Sequence, residues 1–194
     1  MDEIVDITLF VARVFDQLDV AYVVGGSLAS SFHGIPRATQ DVDIIAEMTE
    51  AHVPGFVAAL RDTFYLDEGA IRDAIARRRS FNVVHLGSYF KADIFISKDD
   101  ASSRLEMERR QSVSLGGVPP RTLYVASAED VVAQKLVWYQ LGDEVSDRQW
   151  SDALGVLKVS GTDLDFEYLE HVCGLLGVRD LLHRLRKEAA GGGQ

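Results

Sequence analysis

Cysteine is almost absent from this sequence: Cys173 is the single thiol in 194 residues. One thiol cannot close an internal disulfide or complete a cysteine zinc site, which points to a reducing cytoplasm. Cys173 sits in an apolar helical stretch and reads as core. A long hydrophobic run is missing as well. None approaches the roughly 20 residues that a bilayer-spanning helix needs, so no membrane association is expected. The chain opens Met1-Asp2-Glu3, acidic where an export signal is basic. Positive charge is also scarce: 20 Lys and Arg stand against 30 Asp and Glu, a formal net charge of −10. Proteins that coat nucleic acid over a long footprint are usually basic, because phosphate contacts supply most of their affinity. The balance argues against such a surface and leaves only local ones, at Arg77-Arg78-Arg79 and Arg109-Arg110. These clusters read either as solvated helix ends or as substrate contacts.

What is present is an ordinary globular composition, 47% hydrophobic and 26% charged, with enough chain for one domain or for one domain plus a small helical appendage. Residues 4–18 carry Ile4, Ile7, Phe10, Val11, Val14, Phe15 and Leu18 at helical spacing. Val20–Val24 is a short apolar run ending at Gly25-Gly26, a strand into a tight turn. Ser27–His33 reads as a helix, with Gly34 as its cap. His33 has no second histidine or cysteine at ligand spacing, so no zinc site is expected there. Asp41–Ala46 alternates as a strand, and helices follow over about 51–61 and 70–79. Phe81–Leu86 and Tyr89–Ser97 form a hairpin about Gly87-Ser88. Ser112–Leu115 and Val118–Val125 pair about Gly116-Gly117. Beyond Ser127, an N-cap followed by acids, only helices are expected, over 128–141, 147–159, 165–175 and 178–189, with the tail from Ala189 frayed. Trp138 and Tyr139 are expected to pack. The fold class is therefore α+β. A lobe with a small mixed sheet spans 1–126 and a C-terminal helical lobe spans 127–194.

Two local patterns carry chemistry. Gly25-Gly26-Ser27 is a strand-to-helix turn at which backbone can approach a ligand and the helix N-terminus favours an anion. By itself it is equally the pattern of an ordinary N-cap. Asp41 and Asp43 share one face of a strand. Side by side they repel, and a divalent cation between them would relieve that; Mg²⁺ suits two carboxylates plus substrate phosphates. An exposed edge strand with two surface acids is the plainer alternative. Asp93, on a second apolar strand, supplies a third acid that either joins a metal site and accepts a hydroxyl proton or pairs with Lys91.

The stretch from Gly25-Gly26-Ser27 through Arg37-Ala38-Thr39-Gln40-Asp41-Val42-Asp43 resembles the signature of the DNA-polymerase-β-like nucleotidyltransferase superfamily. Within it, the branch with AbiEii-type toxins is the most similar, through Asp93 and the helix of Lys135. The resemblance implies that Gly26 and Ser27 hold triphosphate, that Asp41, Asp43 and Asp93 hold Mg²⁺ (or Mn²⁺), and that Lys135 neutralises phosphate charge. Arg37 and Thr39 would contact phosphate or brace the loop, and Asp152 would orient Lys135 or Arg148. It further implies transfer of a nucleoside monophosphate from an NTP to a hydroxyl of tRNA, a protein or a small molecule such as an aminoglycoside, with an antitoxin protein as a partner. A module that keeps the fold to bind nucleotide or protein without turnover is the competing expectation.

Overall fold

The structure, a computed structural model, describes residues 2–115 and 121–191. The expected turn at Gly116-Gly117 and the end of the tail, 192–194, lie outside the described residues. The chain forms two compact units, one of residues up to Gly25 with 38–125, the other of 26–37 with 126 onward.

The first unit is a sheet with helices. Its strands are β1 (Tyr22–Val24), β2 (Asp41–Ala46), β3 (Phe64–Tyr65), β4 (Ser80–His85), β5 (Lys91–Ile96), β6 (Gln111–Ser114) and β7 (Thr122–Val125). They lie in the order β3-β4-β5-β2-β1-β7-β6. The pairs β2–β5 and β1–β7 are parallel and the others antiparallel, so the sheet is mixed. Apolar alternation selects the buried face: Val42, Ile44 and Ala46 on β2 and Ala92, Ile94 and Ile96 on β5 are all buried. Helix α1 (Asp2–Gln17) buries Ile4, Ile7, Val11, Val14 and Phe15, the stripe its periodicity predicts. Phe15 lies between Tyr22 and Phe56, with ring centroids 5.7 and 5.4 Å away. The first unit also holds α3 (Val53–Leu60, after a 3₁₀ turn at Glu50–His52), α4 (Glu68–Arg77) and α5 (Ala101–Arg109).

The second unit is helical, made of α2 (Gly26–His33), α6 (Ala128–Leu141), α7 (Asp147–Ser160), α8 (Phe166–Leu175) and α9 (Arg179–Gly191). Helix α2 packs on α6 and α7. Ser127 caps α6: its hydroxyl accepts the Asp130 N–H at 3.2 Å and donates to the Asp130 carboxylate at 2.6 Å. Tyr168 donates its hydroxyl to the other Asp130 oxygen at 2.7 Å, and the Asp165 N–H donates to Glu129 at 2.8 Å. The acids at this helix start therefore fasten α8 as well as meeting the dipole. Residues 189–191, expected to fray, are the last turn of α9.

Three further expectations need correction. Helix α5 and the short β3 have no counterpart in the sequence reading. Trp138 is 50% exposed rather than packed, while Tyr139 does pack, its ring centroid 4.9 Å from that of Trp150. Gly34 ends α2 without a left-handed backbone; space is what it supplies. A Cβ there would stand 2.8 Å from the Val156 backbone nitrogen and 3.0 Å from the Ser30 carbonyl oxygen. Both obstacles are main chain and cannot step aside. Gly34→Ala is therefore expected to destabilise the protein by about 1–3 kcal/mol, read by urea denaturation.

Candidate active site

Strands β2 and β5 build an acidic face. They run parallel with Asp41 opposite Lys91 and Asp43 opposite Asp93. Alternation sends Val42, Ile44, Ala92 and Ile94 into the core, so the residues between them share the opposite face. Asp41 is exposed, while Asp43, Lys91 and Asp93 are half-buried. Thr39 braces this face: its hydroxyl lies 2.9 Å from the Asp41 carboxylate and 3.0 Å from the Asp41 carbonyl oxygen. Lys91 Nζ lies 2.7 Å from Asp93 Oδ2. That hydrogen bond raises the Lys91 pKa; burial opposes it, and the charges of Asp93, Asp41 and Asp43 add to it. Both halves of the expectation for Asp93 meet here, since the acid joins the other two and also pairs with lysine.

The strand β1 delivers the glycine turn beside this face. The Gly25 N–H donates to the Asp43 carbonyl oxygen at 2.9 Å. Gly26 takes φ 58°, the left-handed region that glycine enters without penalty.

In the helical unit a second constellation gathers Ser27, Arg37, Lys135 and Asp152. Arg37 Nε and Nη2 lie 3.0 and 3.1 Å from the two Asp152 oxygens, a bidentate pair. The same guanidinium donates to the Ser27 hydroxyl. Lys135 Nζ lies 2.8 Å from Asp152 Oδ2, with side-chain exposures of only 5% and 9%. Lysine 135 thus lies in a buried ion pair rather than reaching to solvent. Burial works to raise the Asp152 pKa, but hydrogen bonds from Arg37 and Lys135 outweigh it and hold the carboxyl below the ordinary value. Asp152 is the residue whose weight the sequence alone understated. Its signal was a lone acid on a helix face, and its partner Arg37 lies 115 positions away.

The other candidates have partners within the chain. His33 Nε2 lies 2.8 Å from the Ala126 carbonyl oxygen. Arg77 pairs with Asp73 one helical turn away at 2.6 Å. Arg78 donates to the Ser97 carbonyl oxygen at 2.6 Å, and Arg110 donates to the Met107 carbonyl oxygen at 2.6 Å while lying over the Tyr124 ring.

The donor set of Asp41, Asp43 and Asp93 is all carboxylate oxygen, which fits Mg²⁺. Among the described residues no three His, Cys, Asp or Glu side chains are closed into a ready metal site. Asp41 faces Thr39 and Asp93 faces Lys91.

No protein-family model matches this chain, and no curated protein matches it in sequence. Solved structures match its shape. The solution structure of the antibiotic-resistance factor ANT(2'')-Ia gives a TM-score of 0.54 at 14% identity, covering 97% of this chain and 99% of that one. A crystal structure of ANT(2'')-Ia with adenylyl-2''-tobramycin gives 0.52 at 15% identity, covering 92% and 99%. An antigenic nucleotidyltransferase-like protein from Paracoccidioides brasiliensis gives 0.55 at 13%, covering 96% and 93%. The chain therefore has a nucleotidyltransferase-like α+β fold; at these identities the likeness concerns fold alone.

The Asp152 cluster gives a pH-dependent prediction. Asp152→Ala takes a buried carboxylate from two cations and is expected to cost about 3 kcal/mol at neutral pH. Because the folded-state pKa is depressed, the wild-type contribution is fully present above the ordinary aspartate value of about 3.9 and is lost as pH falls through the folded-state value. The stability gap between wild type and Asp152→Asn should close in acid. A gap that stays constant across that range would remove the charge from the explanation.

Proposed function

We propose that this protein transfers a nucleoside monophosphate from an NTP to a hydroxyl of an acceptor, with Mg²⁺ (or Mn²⁺) held by Asp41, Asp43 and Asp93. The observation that carries this reading is the β2–β5 register, which sets Asp43 beside Asp93 with Asp41 on the same face. Three acids gathered on one face are what in-line displacement at phosphorus uses. The metal would supply neutralisation of the charge that develops on the phosphates.

The remaining steps fall to side chains of this chain. Ser27, Arg37 and Lys135 would hold the β- and γ-phosphates through hydrogen-bond donors and positive charge. Asp152 would fix the direction of Arg37 and Lys135. The helix α2, opening at Gly26, would add backbone N–H groups toward phosphate. The acceptor hydroxyl oxygen forms a bond to the α-phosphorus as the bond to the bridging oxygen breaks. Pyrophosphate leaves, and the hydroxyl proton passes to the Asp93 carboxylate.

The favoured acceptor is a small cationic molecule, as with the tobramycin adduct in the ANT(2'')-Ia crystal structure. The net charge of −10 suits it. Of the arginines that an RNA footprint would draw on, Arg78 is engaged by the Ser97 carbonyl oxygen, and Arg77 carries a surface pair with Asp73. A second reading has one observation in its favour. The Lys91–Asp93 pair suits a module that binds nucleotide or protein without turnover.

The experiment offers each α-labelled NTP with Mg²⁺ to aminoglycosides, total tRNA and the protein itself. Label is expected on the small cationic acceptor, with transfer reduced at least about 100-fold in Asp41→Ala, Asp43→Ala and Asp93→Asn. Label on tRNA or protein would instead favour a toxin with an antitoxin partner. NTP binding without transfer would leave the binding-module reading. Absence of Mg²⁺-dependent NTP binding by calorimetry would remove all of them.

A further inference from the structure

Asp41, Asp43, Lys91 and Asp93 are the four corners of a patch on two paired strands. The register sets Asp41 against Lys91 and Asp43 against Asp93. Neighbouring strands lie about 4.8 Å apart, and residues two apart on one strand about 6.7 Å. The patch is therefore small enough for one cation to influence every corner. Three corners are acidic and one is basic. Neighbouring like charges on one sheet face destabilise it, so such a patch needs positive charge whenever no metal is present. Lysine suits that duty. Its ammonium is a compact point charge on a four-carbon stem, able to swing away without moving the backbone. In the structure the ammonium stands on Asp93, 2.7 Å from Oδ2, with side-chain exposures of 41% for Lys91 and 21% for Asp93. Solvent access of that order leaves the lysine room to leave.

We propose that Lys91 is a built-in counter-ion of the acidic face, and that its ammonium and a divalent cation exclude each other at Asp93. The inference rests on the metal-binding reading of the three acids. Metal alone must displace an ion pair and then sit near a displaced ammonium, so it binds weakly. An incoming triphosphate changes this, because its negative charge gives the displaced ammonium a new partner. Metal and nucleotide therefore load together, and their affinities are coupled. The lysine thus prevents the acids from collecting a divalent cation in the absence of nucleotide.

The test titrates Mn²⁺ alone, without nucleotide, into the whole protein and reads free Mn²⁺ by electron paramagnetic resonance. The variants are Lys91→Met, Lys91→Gln, Lys91→Arg and Asp43→Asn, each checked for folding by thermal melting. Lys91→Met and Lys91→Gln are expected to bind Mn²⁺ roughly tenfold more tightly than wild type, from removal of one unit charge beside the ion. Lys91→Arg, which keeps the charge, should stay close to wild type. Binding that appears only in the Met and Gln variants supports the same conclusion. Equal or weaker affinity in those variants, with wild-type binding that Asp43→Asn abolishes, would overturn the counter-ion role and leave the metal site standing. No Mn²⁺ binding in any variant would overturn the site and the counter-ion together.

Discussion

The parallel pairing of β2 with β5 is the constraint from which the acidic face follows. Its register is set on the buried side. Val42, Ile44, Ala92 and Ile94 are each within 1% of complete burial, and each large apolar side chain among them is worth about 1.5–3 kcal/mol in the core. Repulsion between like charges facing each other across strands is about 1 kcal/mol or less. The apolar side wins, and the carboxylates are held together against their own repulsion. A slip of one residue would turn the acids into the core and the valines and isoleucines out. The chemistry of the exposed side is thus positioned by packing on the other.

The helical unit solves the converse problem. Here one carboxylate, Asp152, serves two cations, Arg37 and Lys135. Removing three charges from water costs several kcal/mol per ion, and that cost is offset only when geometry is good and hydrogen bonds are made. The bidentate Arg37 contact and the short Lys135 contact meet that condition. The three side chains together carry net positive charge, opposite in sign to the β2–β5 face with its three acids and one lysine.

Much of this is visible in the sequence because the decisive signals are local. Asp-Val-Asp-Ile at 41–44 declares strand, face and charge at once, and Ser127 with two acids declares the start of α6. The misses share a cause. Helix α5 has only Leu105 and Met107 as larger apolar residues, too few to mark a stripe. Its one legible signal was Asp100, whose carboxylate caps the helix by accepting the Ser103 N–H at 2.8 Å. Strand β3 is two residues long and exists because β4 lies beside it. The Asp152–Arg37 pair spans 115 positions, and no spacing rule reaches that far. Gly34 was legible as a glycine that mattered, though its reason, the close Val156 backbone, belongs to tertiary structure.

The glycine turn shows how a bland explanation and a functional one coincide. Gly25 sits in a tight place in the fold. Its N–H donates to the Asp43 carbonyl oxygen at 2.9 Å, and a Cβ there would press on Ile45 Cδ1 at 3.3 Å. Gly26 is needed by its left-handed φ of 58°. Neither requirement invokes a ligand. Yet the bond from Gly25 ties the turn to Asp43, one corner of the acidic face. One residue after Gly26, the chain places the Ser27 hydroxyl under the Arg37 guanidinium. The turn and the Asp-x-Asp strand, each unremarkable by itself, are joined by a main-chain hydrogen bond.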